Sequence, residues 1–184
     1  MRDLTRRTTL AGVAAAALGA RMARADAGQT AWDFTFPAID EGDLPFARFK
    51  GQVLLVTNTA SYCGFTYQYK ALEALHADTA ARGFAVIGVP SQDFGQEKAS
   101  NGEVKRFCDL TYHVKFPMAG ISHVKGPEAA PFYAWVRASR DGWEPAWNFN
   151  KVLIARDGSI AGLFRSEDEP GGPKLTAALA QALG

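Results

Sequence analysis

Cysteine is scarce: the 184 residues contain two, Cys63 and Cys108. Their separation fits neither a zinc knuckle nor a Cys-x-x-Cys redox pair, and His76, His113 and His123 share no helix face with either sulfur at ligand spacing. No metal and no cofactor are implied. An excess of charge of one sign is also missing, with 20 Lys and Arg against 19 Asp and Glu for a net charge of +1. No basic block or helical stripe could neutralise a run of phosphates, which argues against nucleic acid as a partner. Repeats, linkers and a second hydrophobic pattern are absent, so residues 26–184 read as a single domain. What is present is apolar material, at 47% of residues against 21% charged, enough for one buried core and too much for a disordered chain.

No apolar run is long enough to span a bilayer stably. The best candidate, Leu10 to Ala20, is short and Ala-rich, which excludes stable membrane insertion. Thr5-Arg6-Arg7 precedes it and the small residues Ala23-Arg24-Ala25 follow, the layout of a cleavable export signal over residues 1–25. The paired arginines are similar to the twin-arginine class, with Thr9 where that motif usually carries Phe. Cleavage removes five Arg and one Asp, leaving 159 residues with a net charge of −3 and implying a periplasmic, mildly acidic protein. The competing reading is an Ala-rich disordered tail on a cytoplasmic protein.

Gln52 to Thr59 is a continuous apolar run with β-branched residues, the pattern of a strand buried on both faces. Phe65, Tyr69, Leu72 and His76 recur at helical spacing, widened by Ala71 and Leu75, and predict an amphipathic helix from about 65 to 82 that ends at Gly83. Phe84 to Val89, stopped by Pro90, is the next strand, and the three elements imply a right-handed parallel crossover. Val104, Phe107, Cys108 and Leu110 predict a second helix from Ser100 to about His113. Lys151 to Ala155 and Ser159 to Phe164 flank Arg156-Asp157-Gly158 as a hairpin, and Leu175 to Leu183 closes the chain as a helix. Asp33 to Phe36 and Leu44 to Phe49 bracket a solvated acidic turn as a small N-terminal hairpin. This order is that of an α/β thioredoxin-like sandwich, a mixed central sheet flanked by helices.

Cys63 falls between the carboxyl end of a strand and the amino end of a helix, where open α/β sheets place their sites. Free N–H groups and the helix dipole favour a thiolate there, and the thiolate is the nucleophile. Gly64 permits close approach to the backbone, while Ser61, Thr66 and Asn58 supply polar groups. The competing readings are a buried thiol acting as a small hydrophobe and a structural disulfide with Cys108.

The run Val56-Thr57-Asn58-Thr59-Ala60-Ser61-Tyr62-Cys63-Gly64-Phe65-Thr66-Tyr67-Gln68-Tyr69 closely resembles the active-site signature of the glutathione peroxidase family. Pro90 to Glu97 is similar to the family's Pro-x-Asn-Gln-Phe-Gly loop. Phe107-Cys108 through Tyr112 and Phe116-Pro117-Met118 resemble the next block, and Trp147-Asn148-Phe149-x-Lys151 the Trp-Asn-Phe signature. The blocks keep family order across roughly residues 32 to 170. The resemblance implies reduction of hydroperoxides, with Cys63 in the peroxidatic position, passing through a sulfenic acid. Trp147 and Asn148 match the family's hydrogen-bond donors.

Counted from Pro90, the family's catalytic Gln falls on Asp93, with Gln92 at the preceding Asn position. An ionised carboxylate there would repel the developing charge, which leaves two branches. Either Asp93 is protonated and donates, or it turns away and Gln92 or water takes the role; a third reading makes Asp93 a loop cap. Cys108 matches the resolving cysteine of non-selenium, two-cysteine members, implying an intramolecular disulfide reduced by a dithiol; the alternative is an inert packed thiol. No basic cluster surrounds these blocks to bind glutathione carboxylates, and the segment from Phe132 to Trp147 is too short for the tetramer-forming loop. The implied protein is a monomer using a thioredoxin-like donor, with glutathione as the other donor. The remaining alternatives are a peroxide sensor that relays oxidation to a partner and a non-catalytic domain with a static bridge. Trp32, Trp135 and Trp143 read as packing groups rather than a lipid-binding surface.

Overall fold

The computed structural model describes residues 28–184, so the expected export signal over residues 1–25 lies outside the described residues. Strand β1, Thr35–Pro37, pairs antiparallel with β2, Asp43–Pro45, through Phe36 opposite Leu44. This hairpin is shorter than expected, because Phe46–Phe49 winds into a 3-10 turn that buries Phe46 and Phe49. The main sheet contains β3, Val53–Thr59; β4, Phe84–Pro90; β5, Lys151–Ile154; and β6, Ile160–Phe164, in the order β4-β3-β5-β6. β3 pairs parallel with β4 and antiparallel with β5, giving the mixed sheet.

Every residue of β3, β4 and β5 is buried, as continuous apolar runs require when both sheet faces are covered. The two-residue alternation of a strand sorts them. Leu54, Val56, Ala85, Ile87, Val152 and Ile154 pack with Phe36, Phe46, Phe132 and Val136. Val53, Leu55, Val86 and Leu153 pack with Tyr69, Leu72, Val104, Cys108, Leu175 and Leu179. Both cysteines belong to this second layer. At the β5–β6 turn Gly158 has φ +86°, and a Cβ there would lie 2.5 Å from Trp32 Nε1. No other residue fits that turn.

Two helical expectations are modified, and one helix is new. Helix α1 spans Gln68–Thr79, followed by a 3-10 turn at Ala80–Arg82 and Gly83 at φ +75°. Residues 63–70 are wound by i→i+3 bonds such as Thr66 N–H to Cys63 O and Tyr69 N–H to Thr66 O, which delay the regular helix past Phe65. Helix α2 spans only Asn101–Phe107, capped by the Ser100 hydroxyl, and Cys108–Tyr112 continues as a π-helical turn ending at His113, φ +55°. Helix α3, Pro131–Ser139, is not anticipated in the sequence reading; Pro131 starts it and Phe132, Tyr133, Trp135 and Val136 are buried. Trp32 and Trp135 are core groups, as expected. Helix α4, Pro173–Leu183, buries Leu175, Leu179 and Leu183. None of the helices of the described residues is long and apolar enough to cross a membrane.

Candidate active site

β3 runs out of the sheet at Thr59 and delivers Ala60-Ser61-Tyr62-Cys63 to the turn before α1. Cys63 is 3% exposed, and its Sγ accepts a hydrogen bond from the Phe65 N–H at 3.5 Å. Gly64 is exposed beside it, with open space where a side chain would start. Tyr62 and Tyr67 stand exposed on the same turn.

The loop after β4 is strapped to this turn. The Tyr62 N–H donates to Gln96 O at 2.9 Å, and the Ser61 N–H donates to Glu97 Oε1 at 3.0 Å. Lys98 Nζ reaches the Tyr62 hydroxyl at 3.1 Å and lies 4.4 Å from its ring centroid.

A second strap comes from β3 itself. Asn58, fully buried, donates through Nδ2 to Trp147 O at 3.0 Å and accepts through Oδ1 from the Asn150 N–H at 3.0 Å. The Phe149 N–H closes on Asn58 O, which helps hold Phe149 at φ +60°. Lys151 Nζ donates to Phe149 O at 2.8 Å, and burial pulls that ammonium down to about 8. These bonds fix the Trp147–Asn148 segment against the strand that carries Cys63.

The two straps meet at one contact: Asn148 Nδ2 donates to Gln96 Oε1 at 2.9 Å. Asn148 is fully buried, while Trp147 is 40% exposed with its ring 5.3 Å from that of Phe94. Among the described residues no hydrogen bond engages the Trp147 indole N–H or the Gln96 Nε2 group, so both remain available as donors. Gln96 was within the loop read from the sequence but was not singled out. No local pattern marks it, because its place follows from the path of the loop past the Cys63 turn.

Asp93 and Gln92 are engaged elsewhere, which corrects the donor expectation for both. Asp93 accepts from the Val124 N–H at 2.6 Å, the Lys125 N–H at 3.3 Å and His123 Nδ1 at 2.6 Å. Partial burial works to raise its carboxyl, but the Val124 and His123 bonds outweigh it and hold the group below the ordinary carboxylate value. Asp93 is therefore an ionised acceptor that ties its loop to the segment before α3, close to the loop-cap reading. Gln92 Nε2 is spent on the carbonyls of Glu97 and Lys98, at 2.9 and 2.7 Å.

Cys108 is 1% exposed, in the same core layer as Cys63, and both thiols are free, so no static bridge joins them in this state. Burial, the largest influence, pushes the Cys108 thiol up to about 11, against a lowering interaction with Tyr69.

A thioredoxin-like sandwich with a lone cysteine at the mouth of its first sheet-crossing helix, flanked by amide and indole donors, defines a thiol peroxidase. The chain belongs to the glutathione peroxidase family: the family model Glutathione peroxidase matches residues 31–137. It is 38% identical over 156 residues to the hydroperoxy fatty acid reductase gpx1 of Synechocystis sp., covering 79% of this chain and 92% of that one. It is 41% identical over 135 residues to the glutathione peroxidase-like peroxiredoxin gpx1 of Schizosaccharomyces pombe, covering 71% and 85%. The solved structure of Trgpx in apo form superposes with a TM-score of 0.68 at 33% identity, over 85% of this chain and 97% of that one. The protein is a peroxidase acting on hydroperoxides.

Proposed function

We propose that the reaction runs through Cys63, resolved by Cys108 and recycled by a thioredoxin-like dithiol protein. The observation that carries this reading is the junction of the Cys63 turn with Gln96, Trp147 and Asn148 through named hydrogen bonds. The Cys63 thiolate attacks the distal peroxide oxygen, and the O–O bond breaks with its electrons on the departing oxygen. Trp147 Nε1–H and Gln96 Nε2–H stabilise that oxygen until it is protonated to water or an alcohol, while Asn148 orients Gln96. Cys63 is left as a sulfenic acid, which condenses with Cys108 to a disulfide and water. A second free thiol in the same core layer supports this step. Glutathione is the competing donor. The charge and apolar pattern of residues 1–25 supports export to the periplasm, and the short segment between α3 and Trp147 supports a monomer.

Intact-mass analysis after one equivalent of hydrogen peroxide tests the cycle. Wild type is expected to lose about 2 Da as a disulfide forms, and Cys108→Ser to gain about 16 Da as the sulfenic acid persists. An unchanged mass for wild type removes the activity from Cys63. Turnover that thioredoxin sustains and glutathione does not identifies the donor; the reverse outcome assigns glutathione. A single burst ending in a trapped mixed disulfide with another protein marks a relay.

A further inference from the structure

We propose that Glu97 is the proton acceptor for Cys108 when that thiol attacks the sulfenic acid of Cys63; the proposal rests on the two-cysteine cycle above. Glu97 follows Gln96 in the chain but turns inward, with 5% exposure. Its Oε1 accepts from the Ser61 N–H at 3.0 Å and the Lys98 N–H at 2.8 Å, which fixes the carboxyl beneath the Cys63 turn. Its Oε2 is buried without a hydrogen-bond partner. A carboxylate held this way is costly for a protein to keep, and its peptide-binding role uses only one of the two oxygens.

The surroundings are polar and open in the same sense. The hydroxyls of Thr59, Ser61 and Tyr69 are buried with no partner of normal geometry. Thr59 and Ser61 lie where β3 enters the Cys63 turn, and Tyr69 rises from α1. Tyr69 packs edge-on to Phe107, the neighbour of Cys108, with ring centroids 6.4 Å apart, and Lys98, the neighbour of Glu97, lies 5.4 Å from that same ring; the Glu97 charge raises both Tyr69 and Cys108. Of the remaining charges, Asp109 raises the Cys108 thiol and Lys105 lowers it. Lys98 favours ionisation of Glu97 from its own loop.

Peroxide reduction at Cys63 gives Glu97 no task, whereas the resolving step needs a base. Burial pushes the Cys108 thiol up to about 11, so at neutral pH it carries its proton, and a thiol must lose that proton to attack. Burial also raises the Glu97 carboxyl, which makes it a stronger base than a surface carboxylate. Tyr69, held protonated by burial and with its hydroxyl unpartnered, carries the proton from Cys108 toward Glu97 in this scheme. In the step itself the Cys108 S–H bond breaks and its proton goes to Glu97. The Cys108 sulfur forms the S–S bond as the Cys63 S–O bond breaks, so Cys108 is oxidised and Cys63 reduced. Hydroxide leaves and takes a proton to become water, returning Glu97 to its ionised form.

Rapid mixing of the reduced protein with one equivalent of hydrogen peroxide, quenched by alkylation and read by intact mass, separates Cys63 oxidation from disulfide formation. A wild type that stops at the sulfenic acid overturns the two-cysteine cycle and the proposal with it, and this is read before any variant. Glu97→Gln keeps an oxygen for the Ser61 and Lys98 N–H groups but removes the base. Disulfide formation is expected to fall on the order of 10²-fold relative to Cys63 oxidation in the same sample. Its rate should then rise about tenfold per pH unit through neutrality, where wild type is level, because solvent must now generate the thiolate. Tyr69→Phe should slow the same step in the same direction. Wild-type rates and a wild-type pH profile in both variants overturn the assignment. If neither variant folds, the wild-type profile decides: a level rate through neutrality supports the base, and a tenfold rise per unit overturns it.

Discussion

At the scale of single residues the site turns on which side chain meets Asn148. Gln96 does, through a 2.9 Å bond, while Asp93 accepts three hydrogen bonds some distance along the loop. Gln96→Ala is therefore expected to slow Cys63 oxidation on the order of 10²-fold, as loss of one aimed donor does, and stopped-flow oxidation measures it. Asp93→Asn should leave that rate nearly unchanged; a slowing equal to that of Gln96→Ala would return Asp93 to the chemistry. What Asp93 does control is the tether to His123. Hydrogen bonding to Asp93 raises the His123 imidazole, so its contribution is complete below the ordinary value of about 6.5 and is lost as pH rises through the raised one. The Asp93 carboxyl is lowered, so its contribution holds above about 3.9 and is lost as pH falls through the lowered value. The tether is complete between roughly pH 4 and about 6.5. An NMR titration of His123 should show a raised midpoint in wild type that falls in Asp93→Asn.

At the scale of elements, β3 positions both halves of the site, because one buried amide on it grips the segment that carries Trp147 and Asn148. Asn58→Ala leaves the Asn150 N–H without its acceptor and removes one donor from Trp147 O. Thermal unfolding is expected to show a loss of about 2–4 kcal/mol, with a slower peroxide step in the part that remains folded. The strands were legible in the sequence because apolar runs of β-branched residues have few alternatives, and Cys63 was legible because it sits between two such signals. Gln96 was not, since a loop's path across another turn depends on long-range bonds such as Tyr62 N–H to Gln96 O that have no local pattern. Apolar spacing marked the region of Cys108 as helical but could not show that the helix changes its winding at that residue. There the N–H of Cys108 is shared between Val104 O and Lys105 O, and the Val114 N–H closes on Cys108 O. Helix α3 was missed because its buried aromatics read equally well as isolated packing groups.

At the scale of the whole molecule, the two cysteines lie on parts of very different resilience. Cys63 is anchored to a strand that is paired on both sides and buried along its full length. Cys108 lies where a seven-residue helix passes into a π turn that ends at a positive-φ histidine. Short helices and π turns rank among the least stable backbone, while a doubly paired central strand opens only with global unfolding. Any movement that disulfide formation requires therefore falls on residues 101–113 and spares the sheet. Hydrogen exchange on the reduced and peroxide-oxidised protein is expected to show faster exchange across Asn101 to His113 after oxidation, with the amides of β3, β4 and β5 unchanged. Loss of protection in β3 instead would mean that the Cys63 strand moves. Unchanged exchange in both, with the disulfide verified by mass, would mean that the two sulfurs meet without unwinding α2.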